Sequence, residues 1–181
     1  MNLFYMLSTL EQNDNVHLGR LLILLRVFAG KDEKGTIEGL TKLAKLDFLL
    51  RYPMYLERAL RAKKASSSNV KVAAHEEKSV ESSMVRFRYG PWDFRYRRFI
   101  NLLVAKGLAT INLKGRTIEI GLTPAGVKAA QALSDDDAFS DNFRRAKLVK
   151  THFDRKGTHL MKFIYKTFPQ IVSLRLGEEI H

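Results

Sequence analysis

The stretch that most narrows the fold of this chain runs from Phe94 to Gly126. Asp93 can cap a helix on which Tyr96, Phe99, Ile100 and Leu103 fall on one apolar face. At 100° per residue, Arg97, Arg98, Asn101 and Ala105 lie on the opposite side. Lys106-Gly107 ends that helix. Residues 108–113 and 116–121 then read as two short strands around a tight Lys114-Gly115 turn. Thr123 and Pro124 supply the cap and first position of a further helix. A basic helix, a hairpin with a basic tip and a capped helix therefore follow one another almost without connecting chain.

The segments upstream are helical. Leu18, Leu21, Leu22, Leu25 and Phe28 recur at helical spacing between Val16 and Ala29, with Gly30 as the stop. Thr36 can cap a second helix reaching about Tyr52, with Leu40, Leu43, Leu46 and Leu50 as its buried ridge. Pro53 ends it and suits the first turn of a third, over Tyr55 to about Lys63. Residues 65–78 are small, serine-rich and charged, which reads as a mobile loop. Val85, Phe87 and Tyr89 alternate with Arg86 and Arg88, a short strand closed by a Gly90-Pro91 turn. Beyond Asp135–Asp137, a basic helix is expected over about 138–151 and a last one over about 158–168, with Leu160, Phe163, Ile164 and Phe168 towards the core.

The resulting class is mainly α with a small β-hairpin. Three helices, a strand, a helix, a hairpin and a helix follow the order of a winged helix-turn-helix. The run Phe94–Gly126, with "LLVAKGL" and "LTPAG", resembles the recognition helix, wing and following helix of bacterial winged-helix regulators. We expect a winged-helix domain over 1–134 and a C-terminal helical extension over 135–181.

Charge and composition restrict function. The 181 residues hold 31 Lys and Arg against 19 Asp and Glu, a net charge of +12. Residues 58–71, 86–98 and 144–156 together carry more than that whole excess, so the remainder is slightly acidic. Concentrated positive charge attracts a polyanion and releases its counterions, which points to nucleic acid. With no cysteine, thiol chemistry and every cysteine-based metal site are excluded. Neither GxxxxGK[ST] nor GxGxxG occurs, and the five histidines are scattered, so neither an enzyme nor a cofactor is expected. The longest purely apolar run, residues 21–25, is far short of the ~20 residues of a membrane span, and the expected address is the cytoplasm.

Two strings carry a more specific resemblance. "LTKLAKLDFLLRYPMYLERAL" (Leu40–Leu60) and "VRFRYGPWDFRYRRFINLLVAKGL" (Val85–Leu108) are similar to the middle components of bacterial ABC-three-component systems, and His159–Ile180 resembles their C-terminus. Those are winged-helix proteins encoded beside an SMC-like ATPase and an effector, as in Lamassu-type defence against phages and plasmids. The resemblance implies an accessory subunit without catalysis of its own that binds the ATPase, works beside an effector expected to be a nuclease, and helps hold or sense double-stranded DNA.

The residues expected to meet DNA are Arg86, Arg88, Arg95, Arg97, Arg98, Lys114 and Arg116. Lys147, Lys150, Phe163, Ile164 and Phe168 of the extension are expected to meet the partner chain. Phe87, Tyr89, Trp92, Phe94 and Tyr96 fit either an interface or a packed core, the core being favoured for Phe87 and Trp92. The rival function is a homodimeric transcription regulator reading two half-sites ~34 Å apart. A single-strand or RNA binder using Arg and aromatic stacking is a third class.

Overall fold

The computed structural model describes residues 3–74, 76 and 83–181. The fold is mainly helical with two small antiparallel sheets. Helix α1 (Leu3–Ala29) is its axis. Ile23 and Leu24 are as fully buried as the expected ridge Leu21 and Leu25, because three later helices and the β-hairpin cover this helix from several sides. Helix α2 (Leu40–Arg51) is buried from Lys42 to its end, and α3 (Pro53–Ala62) follows after the single residue Tyr52. Pro53 sits at the start of α3, where its missing N–H costs nothing.

Strands β2 (Met84–Phe87) and β3 (Gly90–Trp92) lead to α4 (Tyr96–Ala105), then to the hairpin β4 (Ala109–Lys114) and β5 (Thr117–Leu122). Helices α5 (Pro124–Ser134), α6 (Asp137–Phe153), α7 (Gly157–Thr167) and α8 (Pro169–Ser173) complete the chain with strand β6 (Glu179–Ile180).

Three local expectations are revised. Thr36 does not cap α2. Ile37–Glu38 form β1, which pairs with Ile120 and Glu119 of β5, and α2 starts after Gly39, whose φ is 80°. The first sheet therefore has the order β1-β5-β4. The Gly90-Pro91 pair is not the turn but the start of β3. Arg88 and Tyr89 turn the chain, and Phe87 pairs with Gly90. Pro91 is tolerated because β3 is an edge strand in the order β3-β2-β6. Asp93 does not sit at the N-cap of α4; its carboxylate accepts from the Arg95 N–H at 2.9 Å and faces inward. The "LTPAG" string behaves as expected. Thr123 Oγ1 accepts from the Gly126 N–H at 3.0 Å and donates to the Gly107 carbonyl at 2.6 Å. A Cβ on Gly126 would lie 1.8 Å from the Leu108 carbonyl oxygen, so only glycine lets α5 close against the end of α4.

The C-terminal residues complete the core of the rest. Phe168 is fully buried, with its ring edge-on to Tyr55 at 4.8 Å and to Phe48 at 6.2 Å. The Tyr52 hydroxyl donates to the Ile180 carbonyl and accepts from the Met84 N–H, and the Tyr55 hydroxyl donates to the His181 carbonyl. Tyr52 thus ties the α2–α3 junction to both β2 and β6. The serine-rich segment is anchored where it is described. Val70 is fully buried, Arg144 and Arg145 donate to the carbonyls of Asn69, Val70 and Lys71, and Arg145 pairs with Glu76 at 2.7 Å. Residues 75, 77 and 78 of that segment lie outside the described residues.

Candidate nucleic-acid interface and its supporting charge network

The two strings that carry the family resemblance meet inside the protein. Asp47 of α2 is fully buried, and its carboxylate accepts from Arg20 Nε at 2.7 Å, Arg51 Nη2 at 2.9 Å and the Tyr96 hydroxyl at 2.6 Å. Arg51 reaches Asp93 with Nη1 at 2.9 Å, and Asp93 is gripped from the other side by Arg95 at 2.8 Å. Arg20 Nη2 also donates to His17 Nδ1 at 2.7 Å. That bond fixes His17 as a neutral ring protonated on Nε2, stacked on Phe99 at 5.2 Å. Burial and the adjacent Arg20 push the His17 pKa down to about 3. Burial alone would raise the Asp47 pKa, but the Arg20 and Arg51 guanidinium groups and the Tyr96 hydroxyl hold it well below the carboxylate range. Asp93 is held at about 2 against the same burial effect, first by the hydrogen bonds from Arg95. This network joins α1, α2 and the start of α4, so it sets how α4 stands on the domain.

On the outer face of α4 the expected cations divide into two groups. Arg97, Arg98 and Asn101 are exposed, as the helical spacing requires. Arg98, however, forms an ion pair with Asp14 of α1, and Arg95 is committed to Asp93. At the hairpin tip Lys114 pairs with Glu119 at 2.9 Å, which raises its pKa. Arg86 donates to the Leu174 carbonyl at 2.7 Å and acts as a brace for the C-terminus. Arg88, Arg97 and Arg116 are exposed and make no ion pair among the described residues. Val104 on α4 and Ile111 and Leu113 on β4 are exposed apolar side chains, Leu113 at 78%.

Two of the five residues of the extension expected to meet a partner lie inside the chain. Ile164 and Phe168 are fully buried in the chain's own core, and Phe163 packs half-buried on Phe153 with centroids 5.5 Å apart. Lys150 pairs with Asp154 at 2.5 Å and lies over the Phe28 ring, while Lys147 covers Phe143 at 4.2 Å. Cations of the other two basic clusters are likewise engaged: Arg58 lies over Tyr55 and Phe168, Lys63 donates to the His152 carbonyl, and Arg145 is internal.

One feature was missed in the sequence. Between α2 and the β2–β3 turn lies a half-open apolar cleft of about 200 Å³, lined by Phe87, Tyr89, Pro91 and Trp92 together with Lys45 and Arg97. Lys45 is only 2% exposed, and its ammonium makes one hydrogen bond, to the Thr41 carbonyl at 2.9 Å. No carboxylate pairs with it among the described residues, and burial pushes its pKa down to about 8. Gly90, at φ 116°, lies against the Lys45 stem, with an added Cβ 3.5 Å from Cε. The sequence signal was a lysine one position from the leucine ridge of α2, together with an aromatic-glycine-proline-aromatic string.

No group of three or more potential ligands that could hold a metal occurs among the described residues, and no helix among them is long and apolar enough to cross a membrane. Comparison with protein-family models, with curated proteins and with solved structures returns no match.

Proposed function

We propose that this chain is a winged-helix protein associated with double-stranded DNA, serving as an accessory subunit without catalysis of its own in an SMC-like ATPase complex that defends bacteria against phages and plasmids. The observation that carries the DNA reading is the topology. Helix α1, the short β1, helix α2, helix α4 and the hairpin β4–β5 follow in order, with β1 laid on β5 to give β1-β5-β4. In that plan α4 is the recognition helix, the hairpin is the wing, and residues 53–93 are an insertion between the second and third helices. Arg97 on α4 and Arg116 at the hairpin tip are then the cations left for phosphate.

The accessory role rests on the resemblance of the two strings, and two features of the chain agree with it. With Arg98 and Lys114 neutralised within the chain, isolated DNA affinity is low and a second chain must supply the rest. The exposed Val104, Ile111 and Leu113 provide apolar surface beside the wing for that chain, in place of the buried residues of the extension.

Co-expression with an SMC-like ATPase encoded beside it, followed by mass measurement, tests this. A complex that survives purification and is lost with Leu113→Glu, whose side chain touches no core, is the expected result. A salt-resistant homodimer that ignores the ATPase and footprints one palindromic operator would leave the transcription regulator standing instead.

A further inference from the structure

A buried ammonium without a counter-ion needs a reason. Desolvating a charge costs several kcal/mol unless another group repays it. Elsewhere this protein balances its buried cations with care: Arg20, Arg51 and Arg145 each face a carboxylate. Lys45 donates to one backbone carbonyl and is among the residues that line the apolar cleft. Two of its three N–H donors therefore have no acceptor among the described residues.

The cleft supplies the remaining requirements of a receptor. Trp92 and Phe87 form its wall with rings 28° apart in a stacked arrangement, and Tyr89, 57% exposed, stands beside them at the turn. A cavity of roughly 150 Å³ accommodates a benzene ring, so about 200 Å³ takes one heterocycle and not two stacked ones. An ammonium and a guanidinium in one lining, together with aromatic carbon, match a planar ring that carries hydrogen-bond acceptors on its edge and an anion on its other end.

We propose that this cleft binds a single unpaired nucleotide, its base stacked against Trp92 and Tyr89, an acceptor on the base edge taken by Lys45 and its phosphate by Arg97. This rests on the DNA reading above and refines it: the α4–wing face meets duplex backbone, while the cleft holds a base exposed at an end, gap or distortion. Arg97 lies at the border of both surfaces and serves either. A partner peptide with an aromatic carboxyl terminus is the competing occupant. It is less well matched, because one carboxylate needs one cation and the cleft offers two, and because Arg88 follows Phe87 at the turn with its side chain exposed.

Trp92 is the only tryptophan, so its fluorescence reports the cleft directly. The full chain is titrated with a short single-stranded oligothymidylate, a blunt duplex of equal length, and a peptide ending in phenylalanine with a free carboxylate. Saturable quenching by the single strand is expected, at least about tenfold tighter than quenching by the duplex. Stacking of one base on an aromatic side chain is worth ~1–3 kcal/mol, the size of that factor.

Lys45→Met keeps the stem and removes the charge; it should weaken single-strand binding about tenfold while leaving gel-shift affinity for duplex unchanged. Tyr89→Ala, at an exposed position that cannot compromise the core, should reduce quenching in the same way. Equal quenching by duplex and single strand, or a Lys45→Met protein that binds single strand as tightly as the original, overturns the proposal. Tighter binding of the peptide overturns it too and assigns the cleft to a protein partner. Duplex binding retained with no quenching refutes the cleft alone; loss of duplex binding in the unaltered protein refutes the DNA reading beneath it.

Discussion

Replacing Asp47 by Asn tests whether the buried network, rather than the apolar core alone, fixes the position of α4. The carboxylate is fully buried and receives hydrogen bonds from two guanidinium groups and the Tyr96 hydroxyl. Among the described residues, Asp47 pairs with Arg20 and Arg51, and Asp93 pairs with Arg51 and Arg95. An amide at position 47 turns one acceptor into a donor pointing at an arginine and removes the carboxylate that Arg20 and Arg51 share. Removing one partner of a buried pair costs about 3–5 kcal/mol. Total stability of a domain is roughly 5–15 kcal/mol, so about a fifth or more of it is at stake.

For a chain of this length that loss corresponds to a Tm lower by roughly 6–20 °C, read by differential scanning calorimetry. Tyr96→Phe removes only the 2.6 Å hydroxyl bond and should cost about 1.5–3 kcal/mol. The double variant should lose less than the sum, because Tyr96 has no anion to serve once Asp47 is gone. The acid limb moves as well. The folded-state pKa of Asp47 is depressed, so its stabilisation is complete above the unfolded value near 4 and fades as pH falls further. The Asn variant should therefore show a flatter loss of stability below pH 4. A Tm change under about 2 °C, or full additivity with Tyr96→Phe, would show that packing and not charge holds α4.

Two further outcomes follow from the same side chains. Lys45→Met should raise stability at pH 7, and the unaltered protein should gain stability between pH 8 and 10 in urea titrations. Lys45 has a folded pKa of about 8, below the unfolded value near 10.4, so across that window the unfolded chain binds the extra proton and deprotonation favours the folded state. On duplex DNA, Arg97→Ala should weaken binding more than Arg98→Ala, because Asp14 already satisfies Arg98. Each phosphate that goes unneutralised should flatten the plot of log affinity against log salt by ~0.9.

What the sequence revealed follows the range of the interactions involved. The start of helix α5 was readable to the residue because its signals are local: Thr123, Pro124 and Gly126 lie within four positions and act on one another or on the adjacent chain. The apolar face of α4 was readable for the same reason, as were the exposed positions Arg97 and Arg98. Strand β1 was not, since two residues carry no periodicity and Ile37–Glu38 are extended only because β5, eighty residues later, pairs with them. The roles of Asp47, Arg51, Asp93 and Arg95 were hidden in the same way. Asp93 reads locally as a helix cap and Arg95 as a DNA contact, nothing local marks Asp47 or Arg51, and the four are brought together by the packing of α2 on β3 and α4. Ile164 and Phe168 were correctly placed on an apolar face, yet a face seen in isolation does not say whether its cover is the same chain or another. Tyr55 and Phe48 answer that question.

Counting cations therefore overstates the surface field of this protein. Arg20, Arg51, Arg95 and Arg145 are structural, each set against a carboxylate that the fold has desolvated with it. Lys42 and Lys150 share Asp154, and Arg98 and Lys114 are balanced at the rim. A cation set against a carboxylate adds nothing to the net charge of +12, so that excess is carried by cations no carboxylate offsets. The charge left to act on a partner is carried by residues such as Arg88, Arg97 and Arg116. A few phosphate contacts give affinity that physiological salt erodes steeply, and under the accessory role proposed above residence on DNA is then set by the complex and not by this chain's own grip.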